Sequence, residues 1–242
     1  MNHIKIEYKP YRLLPSRKLN LNHPEKWEEL TPEQLIIGAS VLEGIVSDDK
    51  VIRVMTGLKR RVIKRLTPYQ KLRIIELLKF LNDFTPYHEF IIPALGHLKC
   101  PKPRLKDETF GCFIFAETYF FKYELSYDES ALDKFIACFY RDREFDEKFL
   151  DENSLLVSKQ KYIVRQAIYT NYKLIREYLV LNYPYVFSRE EDQSSNKDQS
   201  KWLDVFDAIV KDDIVRQEDY ARLPISTVLR YLNNQIKNSR TK

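Results

Sequence analysis

Four groups of side chains have the types and spacing to do chemistry. His88, His97, Cys100 and Cys112 contain a His97-x-x-Cys100 pair at a spacing that suits tetrahedral zinc. No C-x-x-C pair accompanies it, and Cys112 falls in an aromatic run where a buried free thiol is expected, so no metal site is assigned. Cys112 or Cys138 beside a histidine would make a nucleophile–base pair. Both lie in apolar surroundings, which raise a thiol pKa, so core packing is the better reading. Glu144, Asp146 and Glu147, followed by Asp151 and Glu152, could do acid–base work or hold Mg²⁺ only if a pocket gathered them. Beside Arg141 and Arg143 in a polar stretch they read as a solvated helix junction, and Asp212-Asp213 reads the same way.

The fourth group is basic. Lys59-Arg60-Arg61 and Lys64-Arg65 lie close enough on a helix for Arg61, Lys64 and Arg65 to share a face. Such a patch can neutralise phosphates or hold an acidic protein segment, and its plain alternative is a solvated surface. The phosphate-loop, dinucleotide, zinc-protease and esterase motifs are all missing from the sequence. The expectation is a chain with no catalytic residue, no cofactor and no metal.

Composition narrows what must position these groups. The chain has 242 residues, 44% apolar and 31% charged, with only 5 glycines and 11 prolines. That is globular composition and excludes collagen-like, mainly disordered and disulfide-stapled classes. No apolar run is long enough to cross a bilayer, and Met1–Ile6 carries no signal-peptide core. Three widely spaced cysteines suggest a reducing, cytoplasmic setting. The net charge of +5 is uneven: residues 1–106 carry 20 Lys/Arg against 11 Asp/Glu, and residues 107–242 carry 20 against 24. A basic first part fits contact with an acidic partner.

The predicted fold is mainly α, an irregular multi-helix domain with a short N-terminal strand or arm and a small C-terminal helical tail. Ile4, Ile6 and Tyr8 alternate with polar residues and predict a strand. Pro10 to Pro24 reads as an extended arm, so residues 1–26 are set apart. Thr31-Pro32-Glu33-Gln34 and Thr67-Pro68-Tyr69-Gln70 are capping boxes with proline at the first helical position. The first predicts a helix to about Val46, with Leu35, Ala39 and Leu42 on one face. In the second, Ile74, Leu77, Leu78, Leu81 and Phe84 follow helical spacing. Between them, Asp49 to Leu66 predicts a helix interrupted near Gly57.

Residues 85–107, with four prolines, read as an irregular connection with a short strand at Glu89–Ile92. Helices follow at Phe110–Tyr123, from the cap Asp128 to about Tyr140, and from Lys159 to Asn182. The last has apolar residues over a wide arc, Ile163, Ala167, Leu174, Tyr178 and Leu181 beside Val164, Ile168, Ile175 and Leu179, which suits a central helix. The main domain is placed at 27–187 and a polar linker at 188–200. A helical tail at 201–242 has Trp202, Phe206, Ile209, Val228 and Leu232 as a candidate partner-binding face.

Several segments carry a resemblance. Trp27-Glu28-Glu29-Leu30-Thr31 with Gln34-Leu35, Phe139-Tyr140-Arg141 with Phe145-Asp146, Asn171-Tyr172 with Arg176, Pro184-Tyr185-Val186-Phe187, and Trp202 with Leu223-Pro224-Ile225 occur in order. Together they resemble uncharacterised proteins from the tail-gene region of prophages of Bacteroides-type bacteria. The resemblance implies a tail assembly chaperone that holds a long helical tape-measure-like protein in the host cytoplasm. The alternatives are a nucleic-acid-binding accessory protein of a mobile element using Lys59, Arg60, Arg61, Lys64 and Arg65, and a structural tail or neck protein of the virion.

Overall fold

The computed structural model describes residues 2–9, 15–187, 201–211 and 213–240. The chain is mainly α-helical and divides into two compact units, Met1–Tyr87 and His88–Lys242. This division differs from the expected one at both ends. The described residues before Trp27 fall in the first unit, where Ile6 and Leu21 join the core, residues 201–240 fall in the second unit, and the break comes inside the expected main domain. The polar linker expected at 188–200 and Asp212 lie outside the described residues.

The first unit opens with an antiparallel hairpin, β1 (Asn2–Tyr8) and β2 (Arg17–His23), in a register that opposes Ile6 to Leu19 and Ile4 to Leu21. The arm reading of Pro10–Pro24 is thus corrected over 17–23. Leu19, Leu21 and His23 alternate with polar residues, and the period of two orders the strand despite the flanking prolines. Four helices follow: α1 (Pro32–Leu42), α2 (Asp48–Thr56), α3 (Arg60–Ile63) and α4 (Pro68–Glu76). Both capping boxes form, with the Gln34 and Gln70 amide N–H donating to Thr31 and Thr67 hydroxyls at 3.3 and 3.2 Å.

Helix α1 stops at Leu42, short of Val46, because Gly44 turns into the left-handed region at φ 67°. Gly57, at φ 70°, breaks the chain between α2 and α3 where an interruption was predicted. The spacing that ran to Phe84 leaves the α-helix after Glu76, and Lys79–Asn82 form a 3₁₀ turn instead. Ile6, Leu21, Ile52, Leu58, Ile63, Leu66 and Ile74 form one buried cluster.

The second unit begins with a two-residue hairpin, β3 (Ala94–Leu95) and β4 (Leu98–Lys99). The strand predicted at Glu89–Ile92 does not form. The Asn171 side chain holds that backbone, accepting from Ile91 N–H at 2.6 Å and donating to the Glu89 carbonyl at 2.8 Å, which does the work of a strand partner. Then come α5 (Phe110–Ser126), α6 (Glu129–Phe139), α7 (Leu150–Ser158) and α8 (Tyr162–Asn182). Helix α7 was not anticipated; its single apolar turn hides behind the acidic residues that precede it.

Helix α8 is buried without a break from Arg165 to Tyr172, as a central helix must be, although Leu181 at its end is 68% exposed. Around it, Phe120, Phe135, Phe139 and Tyr172 interlock, with ring centroids 4.9 Å apart for Phe135 and Tyr172 and 5.3 Å for Phe120 and Tyr172. The unit ends with α9 (Lys201–Val210), α10 (Gln217–Ala221) and α11 (Ile225–Arg240). These tie back to α5. Phe110 N–H donates to the Leu223 carbonyl at 2.8 Å, and Ile225 N–H donates to the Glu108 carbonyl at 3.0 Å. Gly111 permits the close approach of α10, because a methyl group there would sit 3.2 Å from Ala221 Cβ. Among the described residues no helix is long and apolar enough to cross a membrane.

Candidate functional site

The catalytic candidates separate or saturate. His88 Nε2 lies 3.2 Å from Glu89 Oε1, and among the described residues no group of three or more His, Cys, Asp or Glu could hold a metal ion. Glu144, Asp146, Glu147, Asp151 and Glu152 are exposed and point to separate tasks. Asp146 caps a 3₁₀ turn through Lys148 N–H at 3.0 Å, and Asp151 pairs with Lys134 at 2.8 Å.

Cys112 and Cys138 are fully buried. Burial, foremost, pushes both thiols far above their ordinary range. Cys100 is raised more modestly and is only partly buried. A thiol reagent such as dithionitrobenzoate at pH 8 should therefore modify one thiol of the native protein, Cys100, and all three in denaturant. Rapid loss of two or three native thiols would show that the buried pair reacts.

Two buried carboxylates that the sequence reading missed organise the second unit. Glu117 on α5 is completely buried and receives three donors: Tyr172 OH at 2.8 Å, Trp202 Nε1 at 3.1 Å and Arg176 Nε at 3.2 Å. Burial first, and then the Glu117 carboxylate, hold the Tyr172 phenol well above its ordinary pKa, so it stays a donor. The Arg176 guanidinium also lies 4.9 Å from the Phe121 ring centroid. Glu108 pairs with Arg141 Nη2 at 2.6 Å, and Arg141 Nη1 donates to the Cys138 carbonyl. Both carboxylates are engaged by donors and serve as fasteners. A lone acid inside the aromatic run Phe110–Tyr123 was the signal that could have exposed Glu117, since a charge is rarely buried without partners.

The predicted partner-binding face splits in two. Trp202 is buried within its own unit. Its ring packs edge-on against Phe113 at 4.8 Å and lies 5.5 Å from Phe187, while Phe206 meets Phe110 at 6.1 Å. Val228 is buried too. For Trp202 and Phe206 the expectation of a free face is corrected: the α5 rings Phe110 and Phe113 and, for Trp202, the Glu117 acceptor engage them in cis, whereas Val228, though buried, lines the groove between α9 and α11. Ile209 and Leu232 remain half-buried. With Val205, Leu223 and Tyr231 they line a groove of about 1070 Å³ between α9 and α11. Leu223 and Tyr231 are 38% and 56% exposed.

The basic candidates stay together at the surface of the first unit. Lys59, Arg60, Arg61, Lys64 and Arg65 are all exposed, on α3 and its two flanks.

Comparison with protein-family models, curated proteins and solved structures gives no match.

Proposed function

We propose that the chain is a non-enzymatic binding factor that holds an amphipathic helix in the α9–α11 groove. The observation that carries this is the groove itself, with its Val205, Ile209, Leu223, Tyr231 and Leu232 lining. An apolar trough between two helices suits the apolar stripe of a third helix, which anchors by residues three and four apart. Asp213 and Lys211 at the groove edge offer both signs of charge to the polar flanks of such a helix. The three donors on Glu117, the Arg141 pairing of Glu108 and the buried thiols with raised pKa support a role without catalysis. The resemblance supplies the partner, a long helical tape-measure-like tail protein, and the task, holding it before the tail tube polymerises.

The test titrates the purified chain with helical fragments of the tail protein from the same phage. Tyr231→Ala and Leu232→Asp should each weaken binding at least tenfold, with helical content unchanged by circular dichroism. Unaltered affinity in both variants would overturn the groove reading. Stoichiometric recovery of the chain in purified tails would replace the chaperone role with a structural one.

A further inference from the structure

From the surface of the first unit we infer a second binding activity, independent of the groove: a site for the phosphate backbone of nucleic acid, built on α3 and the turns beside it. Charge is separated along this part of the chain. Residues 50–75 hold nine Lys/Arg and no Asp or Glu. The unit that contains them carries 16 Lys/Arg against 10 Asp/Glu, whereas the second unit carries 24 against 25. The mild basic bias of the whole chain is thus concentrated on one folded body.

The fold turns that bias into a patch. Leu58, Ile63 and Leu66 are buried in the first unit's core, with Val62 packed against it. This apolar side fixes the segment, so Lys59, Arg60, Arg61, Lys64 and Arg65 project on the solvent side. The backbone is ordered by Lys64 N–H to Arg60 O at 3.1 Å and Arg65 N–H to Val62 O at 2.8 Å. Gly57 gives the sharp turn that separates α3 from α2. Among the described residues, no ion pair engages Lys59, Arg60, Arg61 or Lys64. The nearest acid upstream, Asp49, is already paired with Lys71 at 2.6 Å.

Lys59, Arg60, Arg61 and Lys64 thus present four exposed charges outside the ion pairs of the described residues. A polyanion with closely spaced charges is the complementary partner. Arg supplies planar forks for phosphate oxygens, and Lys adds point charges. Contacts to phosphates position the strand and read no bases.

The experiment measures anisotropy of a labelled 30-base-pair duplex, and separately of the corresponding single strand, between 50 and 200 mM salt. Four phosphate contacts predict a log–log slope of about −3 to −4 on duplex, or roughly 150-fold weaker binding over that range. For the same four contacts the single-strand slope is about −3, so the form bound more tightly at equal salt is the one preferred. The variant Lys59→Gln/Arg60→Gln/Arg61→Gln/Lys64→Gln should bind at least tenfold more weakly at 50 mM salt and flatten the slope. Its exposed positions keep the fold, as its melting curve checks.

A control, Lys5→Gln/Lys18→Gln/Lys26→Gln/Lys79→Gln, removes the same charge from exposed positions outside the 50–75 stretch and should lose less than threefold. No binding by the unaltered chain at 50 mM salt, or equal loss in the two variants, would overturn the proposal. So would equally tight, patch-dependent binding of polyglutamate, which would make an acidic protein the partner. The groove variants Tyr231→Ala and Leu232→Asp should leave nucleic-acid affinity unchanged, so this site and the groove fail or stand separately.

Discussion

Glu117→Ala is expected to destabilise the second unit by about 3–5 kcal/mol, the range for breaking a buried hydrogen-bonded charge cluster. The substitution strands two buried donors, Tyr172 OH and Trp202 Nε1, each costing about 1–3 kcal/mol when left without an acceptor. Arg176, partly exposed, can turn toward water and adds less. Because Trp202 is held by this carboxylate and by the rings of Phe110, Phe113 and Phe187, α9 should loosen first. Urea unfolding gives the free energy. The emission of Trp202, read in a Trp27→Phe background, should shift to the red before global unfolding. Glu117→Gln retains an acceptor oxygen and should lose about half as much. A Glu117→Ala protein within 1 kcal/mol of the parent and with unshifted emission would show that the three hydrogen bonds do not hold the tail.

The second large effect is expected in the first unit. Trp27 is 1% exposed, stacks on Phe84 at 5.8 Å, meets Phe80 edge-on at 6.1 Å and donates from Nε1 to the Asp83 carbonyl at 2.8 Å. Its truncation to alanine removes a large buried ring and leaves a cavity, at a cost of about 3–5 kcal/mol. The Lys79–Asn82 turn and α1 should lose protection most, which hydrogen exchange resolves by segment. Trp27→Phe fills part of the volume but lacks the donor, and its loss should be clearly smaller. If exchange at α1 is unchanged in Trp27→Ala, the ring is not what fastens that turn.

Much of the local structure was legible because it is written in short-range chemistry. The two capping boxes, the Asp128 cap of α6, the interruption at Gly57 and the central character of α8 all follow from neighbours a few residues apart. The failures share a different cause. The 89–92 segment has strand-like residues, but its partner is a side chain 80 residues away, Asn171. The tail's apolar stripe was visible, but not that Trp202 would find an acceptor on α5.

The residues behind the resemblance show the same division. Tyr140 donates its hydroxyl to the Ile92 carbonyl at 2.6 Å, Arg141 holds Glu108, Asn171 holds the 89–91 backbone and Arg176 holds Glu117. These motif positions are fasteners of the fold, so likeness at them reports architecture before activity. The basic run is a candidate group that the structure keeps at the surface on one short helix and its flanks, because its apolar neighbours Leu58, Ile63 and Leu66 are buried on the other side.

The pairing of Glu108–Phe110 with Leu223–Ile225 also sets a timetable for biosynthesis. Thr109 and Pro224 form a β-bridge across 115 residues of sequence. A nascent chain that has already emitted α5 must wait until residue 225 is available before this seam can close. At about 5–20 residues per second the delay is roughly 5–20 s. During that interval the Phe110–Phe113 wall and the Glu117 carboxylate lack the tail that covers them. Closing so distant a pairing also carries the entropic cost that slows non-local folding. The second unit is therefore expected to finish after its last helix is made, and translational pausing between α8 and α11 should lengthen the period in which its aromatic wall is open to aggregation or to early chaperone capture.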